Sequence, residues 1–274
     1  CGFSILEIQK IFQKWSKSKK LGGFLIEITA EVLKAKDKKT GKLLVEVIKD
    51  TAGQKGTGKW TSQVAYDLGV PVHSISAALL ARIISSYKDE REEASKILTY
   101  SKKSFSGNKK SFVRDIEDAL YSAIVIAYSQ GFALMKTGSL EFGYELKLNE
   151  IAKIWRGGCI IRSKLLVPIY EAFGKNPELK NLMLAPKFSK ELKKSAEGLR
   201  KAITVAIKLG VPVGALSSSL VYYDSYRSGK LPSASLIQAQ RDYFGAHTYE
   251  RIDEEGVFHT LWGGDKSEVR VEKH

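Results

Sequence analysis

Five residues, Leu68-Gly69-Val70-Pro71-Val72, return unchanged as Leu209-Gly210-Val211-Pro212-Val213, from position 68 to position 209, an offset of 141. In each copy an apolar helical pattern precedes the glycine and another follows the proline. Glycine at such a place ends a helix in a left-handed turn, and proline permits a new start shortly after. The same offset sets Phe24-Leu25-Ile26-Glu27-Ile28 against Leu165-Leu166-Val167-Pro168-Ile169, and Trp15 faces Trp155 with a one-residue slip. The chain therefore reads as two copies of one helical unit. Copies this long predict two bundles sharing a core, not a solenoid of short repeats.

The remaining periodicity is helical as well. Ile5, Ile8, Ile11, Phe12 and Trp15 recur at helical spacing behind Ser4 as an N-cap. Leu21, Phe24, Leu25, Ile28 and Val32 form the next apolar face; residues 37–42 read as a turn, and residues 43–48 are ambiguous. Helices are expected over residues 60–68, 74–87 with a continuation to 98, 112–134, 148–155, 159–173, 188–209 and 213–226. Ser233 is expected to cap a last short helix that Gly245 interrupts. Residues 112–134 are apolar nearly all round, the mark of a buried helix. Residues 101–110 and 176–187 read as connectors. The fold class is all-α: a duplicated multi-helix bundle over residues 1–248, with repeats of about 1–140 and 141–248. A tail at 249–274 has little periodicity and is expected to be extended or disordered.

Composition narrows the function. With 43% hydrophobic and 27% charged residues the chain can bury a core. No apolar run reaches the roughly 18 residues that span a membrane, and no secretory signal opens the chain. Cys1 and Cys159 make no disulfide framework, which fits a reducing, cytoplasmic setting. Four histidines without paired Cys/His spacing argue against structural zinc. A net charge of +14 invites nucleic acid, and a basic helical nucleic-acid module is the non-enzymatic alternative. The lysines are scattered, however: Lys17, Lys19 and Lys20; Lys102, Lys103, Lys109 and Lys110; Lys190, Lys193 and Lys194. A solvated surface that steers a small anionic substrate fits them better, and no nucleic-acid partner is expected.

The two copies differ where chemistry would sit. The stretch Ile48-Lys49-Asp50-Thr51-Ala52-Gly53-Gln54-Lys55-Gly56-Thr57-Gly58-Lys59-Trp60 has no counterpart ahead of Lys201. Its three glycines let backbone N–H groups converge, and Lys55, Thr57 and a following helix N-terminus add positive potential. That reads as a pocket for a phosphate or carboxylate, or else as a tight interhelical turn with a solvated lysine. A nucleotide-binding P-loop is disfavoured, because Trp60 stands where that loop requires Ser or Thr and no strand leads in. Arg82 shares a helical face with Ile75, Ala78 and Leu79, and its equivalent in the second copy is Tyr223. A guanidinium there meets either an internal carboxylate or a ligand anion.

Residues 48–60 resemble, position for position, the signature of the 6-phosphogluconate dehydrogenase family. Two further runs agree: Trp155-Arg156-Gly157-Gly158-Cys159-Ile160-Ile161-Arg162, and Ser235-Leu236-Ile237-Gln238-Ala239-Gln240-Arg241-Asp242-Tyr243-Phe244-Gly245-Ala246-His247. The resemblance runs from about Ile8 to Trp262 and covers the family's helical C-terminal part. It implies NADP-dependent oxidative decarboxylation of 6-phosphogluconate to ribulose 5-phosphate. Hydride leaves C3 for the nicotinamide, carbon dioxide is lost, and the enediol is reprotonated. The resemblance makes Lys55 and Thr57 phosphate-binding residues, and makes Arg82 a phosphate partner, which favours the ligand. It makes Arg241 and His247 substrate contacts that reach into the neighbouring subunit of a homodimer.

The family's general base, general acid and Rossmann domain would lie upstream of Cys1, so no catalytic residue is assigned here. The chain opens at Cys1 inside a helical pattern and is expected to be a portion of a longer polypeptide, inactive by itself. His73 and Cys159 read as structural, Cys159 in the core. Relatives often end in a glycine- and serine-rich tail that touches the cofactor. Here Gly263 and Gly264 lead into a charged run, and no cofactor contact is assigned. A related β-hydroxyacid dehydrogenase with another substrate is the alternative within the superfamily.

Overall fold

The computed structural model describes residues 1–100 and 103–272. Ser101 and Lys102, in a connector and a basic cluster named above, and Lys273 and His274 of the tail lie outside the described residues. By contact the chain divides into two units, residues 1–223 and 224–274.

The first unit is helical. It begins with α1 (Ile5–Lys17) and α2 (Phe24–Val32), and continues with α3 (Thr57–Asp67), α4 (His73–Ser85), α5 (Lys88–Ile97) and the long α6 (Lys109–Glu141). Then come α7 (Leu148–Ile154), α8 (Leu166–Lys175), α9 (Pro186–Lys208) and α10 (Gly214–Tyr226), near whose end the division falls. The ambiguous stretch at 43–48 holds a 3₁₀ turn at Leu44–Glu46, and a second lies at Leu182–Leu184. Ser4 caps α1 as its sequence requires: its hydroxyl accepts from the Glu7 amide at 3.2 Å, and Glu7 Oε2 accepts from the Ser4 amide at 2.7 Å.

The core forms where α6 lies along α9. Tyr121, Val125, Ile126 and Phe132 of α6 are buried with Phe188, Leu192 and Leu199 of α9, and with Ile169 and Phe173 of α8. Val113, Ile116, Leu120 and Ile124 of α6 remain half-buried against this core, so the helix is central without being enclosed all round. One polar knot is fully buried. Gln130 of α6 accepts from the Ser74 amide and donates to the Ser74 hydroxyl, both at 3.0 Å, and that hydroxyl lies 2.8 Å from Ser219 Oγ of α10. The knot satisfies a first-turn amide of α4 that would otherwise be an orphan.

The duplication is visible in the backbone. Gly69 and Gly210 have φ of 64° and 66°. The Val70 amide returns to the Ala65 carbonyl at 2.7 Å, and the Val211 amide to the Ala206 carbonyl at 2.8 Å. Both helices thus end in the same left-handed cap before proline. The copies also touch at nearly equivalent points: Gly23 bridges Ser163, with the Phe24 amide on the Arg162 carbonyl at 2.9 Å and the Lys164 amide on the Gly22 carbonyl at 2.8 Å. One difference separates the two caps. Gly69 faces open space, whereas a side chain at Gly210 would meet the Tyr100 ring. Gly69→Ala is expected to cost about 1–2 kcal/mol, the strain of a left-handed alanine. Gly210→Ala should cost more, because Tyr100 must also move; urea unfolding of the two variants measures the gap.

Several boundaries depart from the sequence reading, and α6, expected over residues 112–134, runs from Lys109 to Glu141. α3 begins at Thr57, three residues before Trp60. The helix expected over 74–98 breaks at Ser86 and Tyr87 into α4 and α5. The helix expected from Cys159 starts only at Leu166, after a turn in which the Arg162 amide bonds the Cys159 carbonyl at 3.0 Å. Cys159 is therefore half-buried in that turn, not in the core.

The second unit carries a further departure. Its helix α11 (Pro232–Gly245) takes Leu231, not Ser233, as N-cap, because Pro232 has the fixed φ suited to the first helical position. The tail is folded: β1 (Tyr249–Glu250), β2 (Val257–Thr260) and β3 (Glu268–Val271) form an antiparallel meander, with Phe258 opposite Arg270. Strands of two to four residues are too short to leave an alternating pattern. Phe258 is buried, with the Tyr249 ring stacked on it at 6.4 Å and the Arg251 guanidinium over it at 5.8 Å.

Candidate substrate site

Residues 47–55 run exposed and without regular structure before α3. Gly56, at φ 99°, is the N-cap of α3. The positive φ demands glycine, and the Trp60 ring packs 3.6 Å from where a Cβ would stand. The leading N–H groups of the first turn, at the positive end of the helix, have no capping side chain. Lys55 and Thr57 flank this glycine and are both exposed.

Arg82 lies in the last turn of α4 and is exposed. The apolar face on which the sequence placed it does not bury it. Its Nη2 donates to the carbonyl of Gly53, and among the described residues no carboxylate pairs with it. A carbonyl satisfies part of the guanidinium and leaves its net charge uncompensated. Arg82 of α4 is thus tied to the loop that carries Lys55 and leads into Thr57, the first residue of α3. No strand precedes that loop, which removes the structural context of a P-loop.

Sequence reasoning missed what holds the loop. The Asp50 carboxylate takes Lys88 Nζ at 2.8 Å and Arg91 Nη2 at 3.0 Å. Arg91 also donates to the Asp50 and Ser85 carbonyls, each at 3.1 Å. Ser85 Oγ accepts from the Ala52 amide at 2.9 Å and donates to the Arg82 carbonyl at 2.7 Å. Hydrogen bonds from Lys88 and then Arg91 hold the Asp50 carboxyl down at about 2. Only Asp50 lies within the signature stretch; Ser85, Lys88 and Arg91 carry no local mark of their role.

In the second unit Arg241 and His247 are both exposed, and both attach to Gln238. Arg241 Nη1 donates to Gln238 Oε1 at 3.3 Å, and Gln238 Nε2 donates to the carbonyls of His247 at 3.3 Å and Thr248 at 2.5 Å. The His247 ring stands edge-on to Phe244 at 5.8 Å and lines a hollow of about 660 Å³ with Gln238, Thr248 and Tyr249. Beneath lies Asp242, with no exposed surface. Its Oδ1 takes the Thr248 amide at 3.0 Å and His259 Nδ1 at 2.9 Å; its Oδ2 takes the Thr260 amide at 3.0 Å and Trp262 Nε1 at 2.9 Å. Burial pushes this carboxyl up, but the donors, His259 foremost, outweigh it and hold it below the usual range. The turn after α11 contains two left-handed non-glycine residues, Ala246 at φ 49° and Thr248 at φ 55°. Asp242 secures that turn through the Thr248 amide and, by its own carbonyl, the Ala246 amide at 3.0 Å.

Of the five residues singled out in the sequence, Lys55 and Thr57 flank Gly56, Arg82 bonds the same loop from α4, and Arg241 and His247 share Gln238 in the second unit. Among the described residues no three His, Cys, Asp or Glu side chains gather as a metal site, and no helix is long and apolar enough to cross a membrane. The basic clusters are dispersed: Lys20 pairs with Asp118, Lys109 with the Gly2 carbonyl and Lys194 with Glu191 at 3.8 Å.

Helical bundle and cationic loop define a class, an all-α domain that presents positive charge without a dinucleotide crevice among its described residues. The family model of the 6-phosphogluconate dehydrogenase C-terminal domain matches residues 1–262. The chain belongs to that family. It is 51% identical over 262 residues to the NADP(+)-dependent, decarboxylating 6-phosphogluconate dehydrogenase of Bacillus subtilis, covering 95% of this chain and 55% of that protein. It is 50% identical over 261 residues to the decarboxylating enzyme of Lactococcus lactis subsp. lactis, with the same coverage. Among solved structures, Plasmodium falciparum 6-phosphogluconate dehydrogenase, studied apo, with NADP+ and with 6-phosphogluconate, superposes with a TM-score of 0.91 at 42% identity. That match covers 95% of this chain and 56% of the other. The chain thus spans about half the length of the relatives it matches.

Proposed function

We propose that this chain is the substrate-binding and dimerising part of a cytoplasmic, NADP-dependent enzyme that oxidatively decarboxylates 6-phosphogluconate to ribulose 5-phosphate and carbon dioxide. The observation that carries this reading is the exposed glycine loop. It carries Lys55, leads into Thr57 at the start of α3, and holds at its Gly53 carbonyl the Arg82 guanidinium, which has no carboxylate partner among the described residues. Such a loop offers a phosphate a point charge, a hydroxyl, a planar fork and backbone N–H groups. Arg241 and His247, displayed through Gln238, complete the site of the neighbouring subunit.

Among the described residues there is no Rossmann crevice to take NADP. The described strands are three, short and antiparallel, and no βαβ crossover is available to seat a pyrophosphate. The cofactor, the general base and the general acid are assigned to an N-terminal domain of the complete enzyme. The chain's own contribution is to hold the substrate's phosphoryl end while chemistry proceeds at the other.

A substrate panel tests the assignment. The complete enzyme should reduce NADP with 6-phosphogluconate and release carbon dioxide; comparable turnover of an unphosphorylated β-hydroxyacid would overturn it. Sedimentation at micromolar concentration should show a dimer, and a monomer would contradict the shared site.

A further inference from the structure

We propose that Asp50, Ser85 and Arg91 form a polar brace that positions the Lys55 loop for its anion. This rests on the substrate reading above.

Asp50, Ala52 and Gly53 are each tied to the junction of α4 and α5. Asp50 is held through its carboxylate and carbonyl by Arg91, and through its carboxylate by Lys88. Ala52 is held through its amide by Ser85, and Gly53 through its carbonyl by Arg82. One nitrogen, Arg91 Nη2, serves two carbonyls and one carboxylate oxygen at 3.0–3.1 Å. It thereby clamps the loop against the last residue of α4. Ser85 returns the link to Arg82, so the arginine that faces the ligand and the loop that carries Lys55 hang from one network.

Burial cannot do this work here. Val47, Ile48, Gln54 and Lys55 are exposed, and the segment has neither helix nor strand to fix it. Ion pairs this open to water contribute little to global stability: Asp50 is 58% exposed and Arg91 35%. Breaking the brace should therefore loosen the loop without unfolding the bundle. That separates a positioning role from a structural one.

The experiment compares Arg91→Met, Asp50→Asn and Lys55→Ala in the complete enzyme. Arg91→Met and Asp50→Asn should raise KM for 6-phosphogluconate roughly tenfold, with kcat changed less than about twofold, since misplaced binding groups act at that level. Kinetics with unphosphorylated gluconate and the melting temperature should stay put, and Arg91→Lys should recover only part of the loss. If Lys55→Ala raises KM while both brace variants leave it unchanged, the brace is wrong and the clamp stands. If Lys55→Ala also leaves KM unchanged, both fall. A brace variant that lowers the melting temperature and weakens both substrates equally would make the network merely structural.

Discussion

Replacing Lys55 by alanine is expected to raise the Michaelis constant for 6-phosphogluconate by roughly 10- to 100-fold, with kcat much less affected. The size follows from one lost charge-assisted hydrogen bond, about 1.5–3 kcal/mol, at about 1.4 kcal/mol per tenfold. The direction follows from position. Lys55 lies on an exposed loop beside an uncapped helix start, two residues from the carbonyl that Arg82 holds. An interaction with the unreacting phosphate is made equally in the ground and transition states, so its loss appears in KM. Gluconate, which lacks the phosphate, should lose almost nothing. Lys55→Arg should keep much of the affinity, because either cation can meet an oxyanion from a flexible stem. Steady-state kinetics with both sugars decides the matter; a KM for 6-phosphogluconate equal to that of the parent enzyme would remove Lys55 from the site.

The second large effect concerns Asp242. Asp242→Ala is expected to melt the strand meander and the turn that presents His247. Four donors converge on this fully buried carboxylate, two of them backbone amides on either side of the sheet connection. Each donor left buried and unpaired costs about 1–3 kcal/mol. A unit with one helix and three short strands has little core to absorb such a loss. Hydrogen exchange at Thr248 and Thr260 should accelerate sharply in the variant, while amides of α6 and α9 stay protected. Retained protection at those two amides would show that the strands hold themselves.

The same carboxylate gives a pH dependence with a defined sign. Its folded value is depressed from the ordinary 3.8, so its contribution is fully present above that value. It is lost as pH falls through the lower folded value. The meander should therefore be intact at pH 5 and open only in stronger acid, where the Thr248 and Thr260 amides report it.

Helix existence was legible because a helix writes a period into neighbouring residues. Ser4 with Glu7, the two Gly-Val-Pro turns and the apolar run of α6 all carry their reason within a few positions. Boundaries were less legible where the deciding contact is remote or where a proline outranks a polar cap, as at Pro232. The strands of the tail were not legible at all. They exist because Asp242, Tyr249 and Phe258 assemble them, and two to four residues cannot show an alternation.

The candidate site divides the same way. Lys55, Thr57, Arg241 and His247 stand out by residue type within recognisable runs, and Arg82 by its helical face, so the sequence alone determined the all-α architecture and which polar side chains are candidates to meet an anion. Tertiary structure alone decided that Arg82 stays exposed on the Gly53 carbonyl. It also decided that Ser85 and Arg91 hold a loop some 33 to 41 positions away, and that one buried aspartate organises the second unit. The reason is physical: periodicity and turn chemistry are local, whereas a hydrogen bond between distant polar groups depends on where the packed helices carry their ends.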